Sequence, residues 1–165
     1  MKLFKIFALL SLIIIAVSAS CTKTAEIAQD DTYISCKING QIYLPNNCAN
    51  CAGAKLLGDT ILIINSNAGY ETMLIGVINI NGMPIVNMEY TLNDNPHYRG
   101  IYKNSTTTDD RFDTDAIRNG KILITSINKT KRIITGTFHF QAYNPLRNLT
   151  VDVSEGVFRF VYTTN

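Results

Sequence analysis

The sequence predicts an all-β domain, and three observations carry that prediction. From Tyr33 onward, β-rich apolar runs of five to twelve residues alternate with clusters of Asn, Asp, Gly and Pro. Nothing in that region keeps the i, i+3, i+4 apolar spacing of an amphipathic helix beyond a turn or two. The joints have hairpin spacing, unlike the longer crossovers that parallel strands require. A single antiparallel β-barrel or β-sandwich domain fits the pattern, and both forms stay open at this level.

The elements follow in chain order. YISCKI (33–38), Asn39-Gly40 and QIYL (41–44) form a hairpin signal, because Asn-Gly best supports the left-handed backbone of a type I′ turn. PNNCANCAGAKLLG (45–58) reads as a loop with at most one helical turn. DTILII (59–64) and ETMLIGVINI (71–80) are apolar almost throughout, which suits strands buried on both faces. MEYTL (88–92) and HYRGIYK (97–103) flank a turn of Asn93, Asp94, Asn95 and Pro96, and STTTDDRFDTDAIRNG (105–120) is a long polar connection. KILITSI (121–127), RIITGTFHFQAY (132–143) and VFRFVYT (157–163) complete the domain. Alternation sets Phe138, Phe140 and Ala142 on one face of their strand, and Phe158, Phe160 and Tyr162 on one face of theirs. Pairing of these strands would bring the rings together as core and favours a barrel or a strongly curved sheet. Gly136 marks a bulge or bend.

Ahead of this domain the chain reads as an export signal. Lys2 and Lys5 form a basic start, and Phe7 to Val17 is an apolar run too short to span a bilayer. Ser18, Ala19 and Ser20 are small, and Cys21 follows in a relaxed lipobox with Ser18 where Leu or Val is usual. The expected division is a lipoprotein signal peptide at 1–20 that is removed, an acylated Cys21 with a polar tether to residue 32, and a β-domain at 33–165. Two or three acyl chains, at about 0.8 kcal/mol per buried methylene, hold such a domain on a membrane. The expected address is the cell envelope, anchored to the outer membrane on its periplasmic or surface side.

The net charge of +2 belongs to the signal. Lys2 and Lys5 are two of the fifteen basic residues, which leaves thirteen basic against thirteen acidic residues after the cut. That balance argues against a nucleic-acid partner, since phosphate binding relies on basic excess. The 145 residues that follow the signal fit one domain with one core.

The strand and turn pattern carries a resemblance. A Gly-bearing turn, KILITSI, TGTFHFQAYN and a last strand opened by EGVFRFVY resemble a family of small Bacteroidota lipoproteins, in which a lipobox precedes a β-domain of unknown function. The similarity is strongest over 119–163 and extends loosely to the CKINGQIYLP hairpin. It implies a fold and an address, and no active site.

Residues with chemical capacity are few. Cys48 and Cys51 form C-x-x-C, which an exported chain uses as a disulfide, a redox dithiol or half a metal site. The oxidising compartment favours the structural disulfide, with Cys36 left over. No metal or cofactor is expected: the zinc reading lacks four ligands at a known spacing, and Asp109, Asp110, Asp113 and Asp115 fail the calcium-loop spacing. His139 alternates with Phe138 and Phe140, so it faces away from the rings, and it lines a ligand cavity only if a barrel has a polar interior. His97 sits in a turn. Tyr70, Tyr90, Tyr98 and Tyr102 are candidate stacking platforms for a ligand. No G-x-S-x-G, H-E-x-x-H or Gly-rich phosphate loop is present, so an enzyme is not expected. The expected role is a non-enzymatic module binding a small ligand or a partner protein, with a structural subunit of an outer-membrane complex as the rival.

Overall fold

The computed structural model describes residues 32–164 apart from 47, 49, 106 and 107, so Cys21, the signal and the tether lie outside the described residues. The described chain contains eleven strands: β1 (Tyr33–Ile38), β2 (Gln41–Tyr43), β3 (Ala52–Leu57), β4 (Ile61–Ala68), β5 (Glu71–Ile78), β6 (Glu89–Leu92), β7 (Tyr98–Lys103), β8 (Arg111–Asp113), β9 (Gly120–Asn128), β10 (Ile133–Asn144) and β11 (Leu149–Val161). They join one antiparallel sheet in the order β2-β1-β11-β10-β8-β7-β5-β4-β3, while β9 branches from β10 and carries β6. The branch exists because β10 is twelve residues long: its first eight pair with β9, and Tyr143 near its end meets Asp113 of β8.

The sheet does not close into a barrel, which removes one of the two expected forms. Closure needs a continuous ladder between the two ends of the order. Here β2 stops after three residues, and β3 meets only the chain just beyond β11, in a single parallel bridge between Lys55 and Thr163. The ends curl towards each other all the same: the Tyr43 hydroxyl on β2 donates to Ser66 Oγ on β4 at 3.2 Å, in the interior. One hydrophobic core serves the whole sheet.

That core is centred on the rings that alternation singled out. Phe138, Phe140, Phe158 and Phe160 are all buried, with ring centroids 6.2–6.5 Å apart along the series. The ladder makes room for them reciprocally: Gly136 lies opposite Phe158, and Phe138 lies opposite Gly156. A Cβ at Gly136 would meet the Leu123 carbonyl oxygen at 2.3 Å and Phe158 Cζ at 2.6 Å, so only glycine fits under that ring. The expected irregularity at Gly136 is present as a register shift against β9 between Thr135 and Gly136.

The first hairpin forms as its turn residues dictate, with Asn39 at φ 50° and Gly40 at φ 80°. Other expectations need correction. Residues 52–57 form β3, where a loop was expected; the apolar positions Ala54 and Leu56 bury on one face while Lys55 points out. The polar connection 105–120 contains β8 and a 3-10 turn at Thr108–Asp110, because Phe112 is buried and anchors it. The last strand begins at Leu149, well before Val157. β4 and β5 alternate between buried and half-buried positions, so they are fully covered on one face only.

Candidate functional site

Among the described residues, the expected site residues scatter. Tyr70 is exposed at the tip of the β4–β5 turn. Tyr102 is buried, and its hydroxyl donates to Glu71 Oε1. His139 lies on the outer face of β10 beside a shallow hollow formed with 152–157; it lines no interior, since no barrel interior exists. His97 is half-buried in the β6–β7 turn, where its carbonyl accepts from Ile78 N at 2.7 Å. Cys48 and Cys51 are bonded to each other, with Cα atoms 5.3 Å apart. Three of the four aspartates face arginines: Asp110 with Arg147 at 2.5 Å, Asp113 with Arg111 at 2.6 Å and Asp115 with Arg118 at 3.1 Å.

Tyr90 and Tyr98 come together. β6 and β7 bring their rings into a stack with centroids 6.3 Å apart and planes 21° from parallel. Over them runs the connector between β5 and β6, residues 79–88 (NINGMPIVNM), which carries no charged side chain. The connector is well held. Ile85 is buried and its N–H donates to the Asp59 carbonyl at 2.7 Å, while Asn79 N donates to Thr60 O at 2.8 Å. Gly82, at φ 69°, turns the chain so that its N–H reaches Asn79 O at 3.2 Å. The groove between connector and rings has a volume of about 290 Å³ and is lined by the two tyrosines, Ile80, Met83, Pro84, Val86 and Met88 with Asn79 and Asn81.

The hydrogen-bonding capacity of the tyrosines is spent on the connector itself. Val86 N donates to the Tyr90 hydroxyl at 3.0 Å, and the Tyr98 hydroxyl donates to Asn79 Oδ1 at 2.9 Å. What remains for a ligand is mainly aliphatic side chains, with Ile80 65% and Met83 66% exposed, beside the edge of Tyr98 and the Asn81 amide, while Tyr90 is only 6% exposed. A surface of this kind recognises apolar groups by burying them, at about 25 cal/mol per Å² removed from water. Its lining holds no acid, base or nucleophile beyond these two phenols.

A second cluster sits at the opposite end of the sheet. Cys36, Tyr43, Ser66 and Tyr102 are buried side by side with Glu71 at their edge. Burial, reinforced by the Glu71 charge, pushes the Cys36 thiol up to about 12. Burial likewise pushes Tyr43 to about 12 and Tyr102 upward. A thiol held this way stays protonated and does not act as a nucleophile at neutral pH.

The groove's aliphatic rim escaped the sequence reading, which ended a strand at Ile80 and assigned nothing to 81–87. A ten-residue uncharged segment rich in Ile, Met and Val was the available signal. The Cys36–Tyr43–Ser66–Tyr102 cluster had none, since its members lie on β1, β2, β4 and β7.

Fold and groove together define a single-sheet all-β domain with an apolar surface groove and one internal disulfide. The chain belongs to the family described as Domain of unknown function (DUF6252), whose model matches residues 30–161. No curated protein and no solved structure matches it.

Proposed function

We propose that this chain is a lipid-anchored envelope lipoprotein, of the Bacteroidota type it resembles, whose β-domain is a non-enzymatic binding module with the Tyr90–Tyr98 groove as its recognition surface. The observation that carries the binding role is the groove itself: four exposed apolar side chains, Ile80, Met83, Val86 and Met88, held in place by a buried Ile85 over a tyrosine stack. Scattered exposed apolar residues are ordinary, whereas a contiguous group on an ordered connector marks an interaction site. The anchoring rests on the basic start, the apolar run and the small residues ending at Cys21. The rival role, an accessory subunit docked on an outer-membrane complex, would use the same rim.

Replacing Cys21 with Ser tests the anchor: the protein is expected to move from the detergent phase to the aqueous phase, and a variant that stays membrane-bound at wild-type levels overturns it. On that soluble variant, the neutral probe 1-N-phenylnaphthylamine is expected to brighten saturably. Adding Met83→Asp and Val86→Asp should abolish the rise. Absence of saturable brightening in the parent overturns the groove as a ligand site.

A further inference from the structure

We infer that the groove end of the domain rests on the membrane that carries the anchor, with the rim of the 79–88 connector seated in the lipid interface. The inference builds on the lipoprotein reading above and names the occupant of the groove.

Three observations point the same way. The first is where the described chain begins. Thr32 Oγ1 accepts from Val161 N at 3.5 Å, at the end of β11, and Val161 pairs with Ile133, the first residue of β10. The turn just before Ile133 reaches the β3–β4 turn through Lys129 Nζ and Asp59 Oδ2, 2.5 Å apart, and the Asp59 carbonyl holds Ile85 of the connector. Tether and groove therefore share one end of the sheet. The eleven residues from Cys21 to Thr32 span at most about 35–40 Å, which keeps that end within reach of the headgroups.

The second is charge. Lys55, Lys129, Lys131 and Arg132 are all exposed at this end, and Lys55 and Arg132 border one hollow with Thr163 and Thr164. Asp59 pairs with Lys129, and Glu89 at the start of β6 pairs with Lys121 at 2.8 Å, which leaves Lys55, Lys131 and Arg132 as the basic surplus. Asp30 and Asp31 of the tether offset part of the surplus. Basic side chains around an apolar patch match an anionic leaflet, because their stems lie along the apolar surface while their heads reach phosphates.

The third is the connector's chemistry. It is uncharged over ten residues and presents two methionines, whose flexible side chains adapt to irregular apolar surroundings. Its backbone is tied by hydrogen bonds to Thr60, Asp59 and within itself, and its exposed Asn81 and Asn87 amides suit the polar headgroup level, so the rim seats in the interface with only its apolar side chains reaching the acyl boundary. The far end has a different make-up: beside the exposed Tyr70 stands Glu71, and Asp110 is paired there with Arg147, with no connector of uncharged apolar residues among the described residues.

The test uses the full, anchored protein in vesicles of phosphatidylethanolamine and phosphatidylglycerol, 3:1. Met83→Cys carries an environment-sensitive nitrobenzoxadiazole label, and Tyr70→Cys carries it in a parallel sample. Labelling is selective because Cys36 is buried, Cys48 and Cys51 are bonded, and the Cys21 thiol carries the lipid on the reading above. The label at position 83 should shift to the blue and lose at least half its emission when doxyl-labelled lipid is included, while the label at 70 stays water-like. Ile80→Asp in the Met83→Cys background should restore the water-like signal. Equal, water-like emission at both positions overturns the inference, and so does equal quenching at both. Mass spectrometry of the N-terminal peptide separates the two readings. An unacylated Cys21 brings down the anchor, whereas an acylated Cys21 with a wet label at 83 brings down the docking alone.

Discussion

Two aromatic groups in this domain are covered to different degrees. On β10 and β11, Phe138, Phe140, Phe158 and Phe160 stack beneath other strands and are at most 2% exposed. On β6 and β7, Tyr90 and Tyr98 stack at nearly the same spacing, 6.3 Å; Tyr90 is 6% exposed and belongs to the core, half-buried Tyr98 packs against it, and the outer edge of the pair borders a groove open to solvent. The difference lies in what stands across from the rings. Phe158 and Phe138 face glycines, Gly136 and Gly156, whose missing side chains let these rings lie close against a neighbouring backbone. The tyrosines face a connector whose apolar side chains, Ile85 apart, mostly point outward. Ring stacking alone thus does not make a core; complete coverage does. The first group lies wholly within the core, whereas the second joins the core through Tyr90 and, with the exposed rim of the connector, edges a surface open to something outside.

Substitutions can break or sharpen that contrast. Phe158→Ala removes a ring with contacts on both Phe138 and Phe160, and should cost about 3–5 kcal/mol, a large part of a small domain's stability. Urea unfolding of the variant measures it, and a loss below about 1 kcal/mol would place the ring outside the core.

The buried polar cluster extends the contrast to pH. Cys36 rises from 9.0 to about 12 and Tyr43 from 10.0 to about 12, so the folded state holds their protons where the unfolded chain releases them. Their contribution is therefore complete below about pH 9 and is lost as pH climbs from there through about 12. Chemical denaturation at pH 8, 10 and 11 should show stability falling across the series. Cys36→Ala should delay the onset of the fall towards pH 10, and a flat profile up to pH 11 would mean the cluster is wet.

The disulfide is expected to matter less. Cys48 and Cys51 close a loop far shorter than the fifteen residues for which about 3 kcal/mol is expected, so the double Ser variant should fold with a smaller loss. Non-reducing peptide mapping checks the connectivity, and a Cys36 peptide linked to the 48–51 segment would refute it. Met83→Asp should change stability by no more than about 0.5 kcal/mol, since the side chain is exposed, while removing binding at the groove. Should it destabilise as much as Phe158→Ala, the groove is core and the contrast fails.

Local pattern accounts for much of this fold. Asn39-Gly40 specifies its turn by backbone preference, and period-two alternation along 133–144 and 157–162 is enough to choose the buried face. Both depend on neighbours within a few residues, which a linear reading contains. Ala52–Leu57 was harder, because C-A-G-A-K-L-L has weak β propensity and becomes a strand by pairing with β4 and by the bridge from Thr163. Whether the sheet closes, which of four tyrosines meet, and which end the connector shares with Thr32 were decided by tertiary structure. Each depends on pairings between residues tens of positions apart, such as Val77 with Tyr98, Glu89 with Leu123 and Tyr143 with Asp113. The sequence alone marked Tyr90 and Tyr98 as aromatic and 79–88 as uncharged. Only the register of β5, β6, β7 and β9 set them against each other, because side-chain proximity across a sheet is a property of the ladder and not of any one strand.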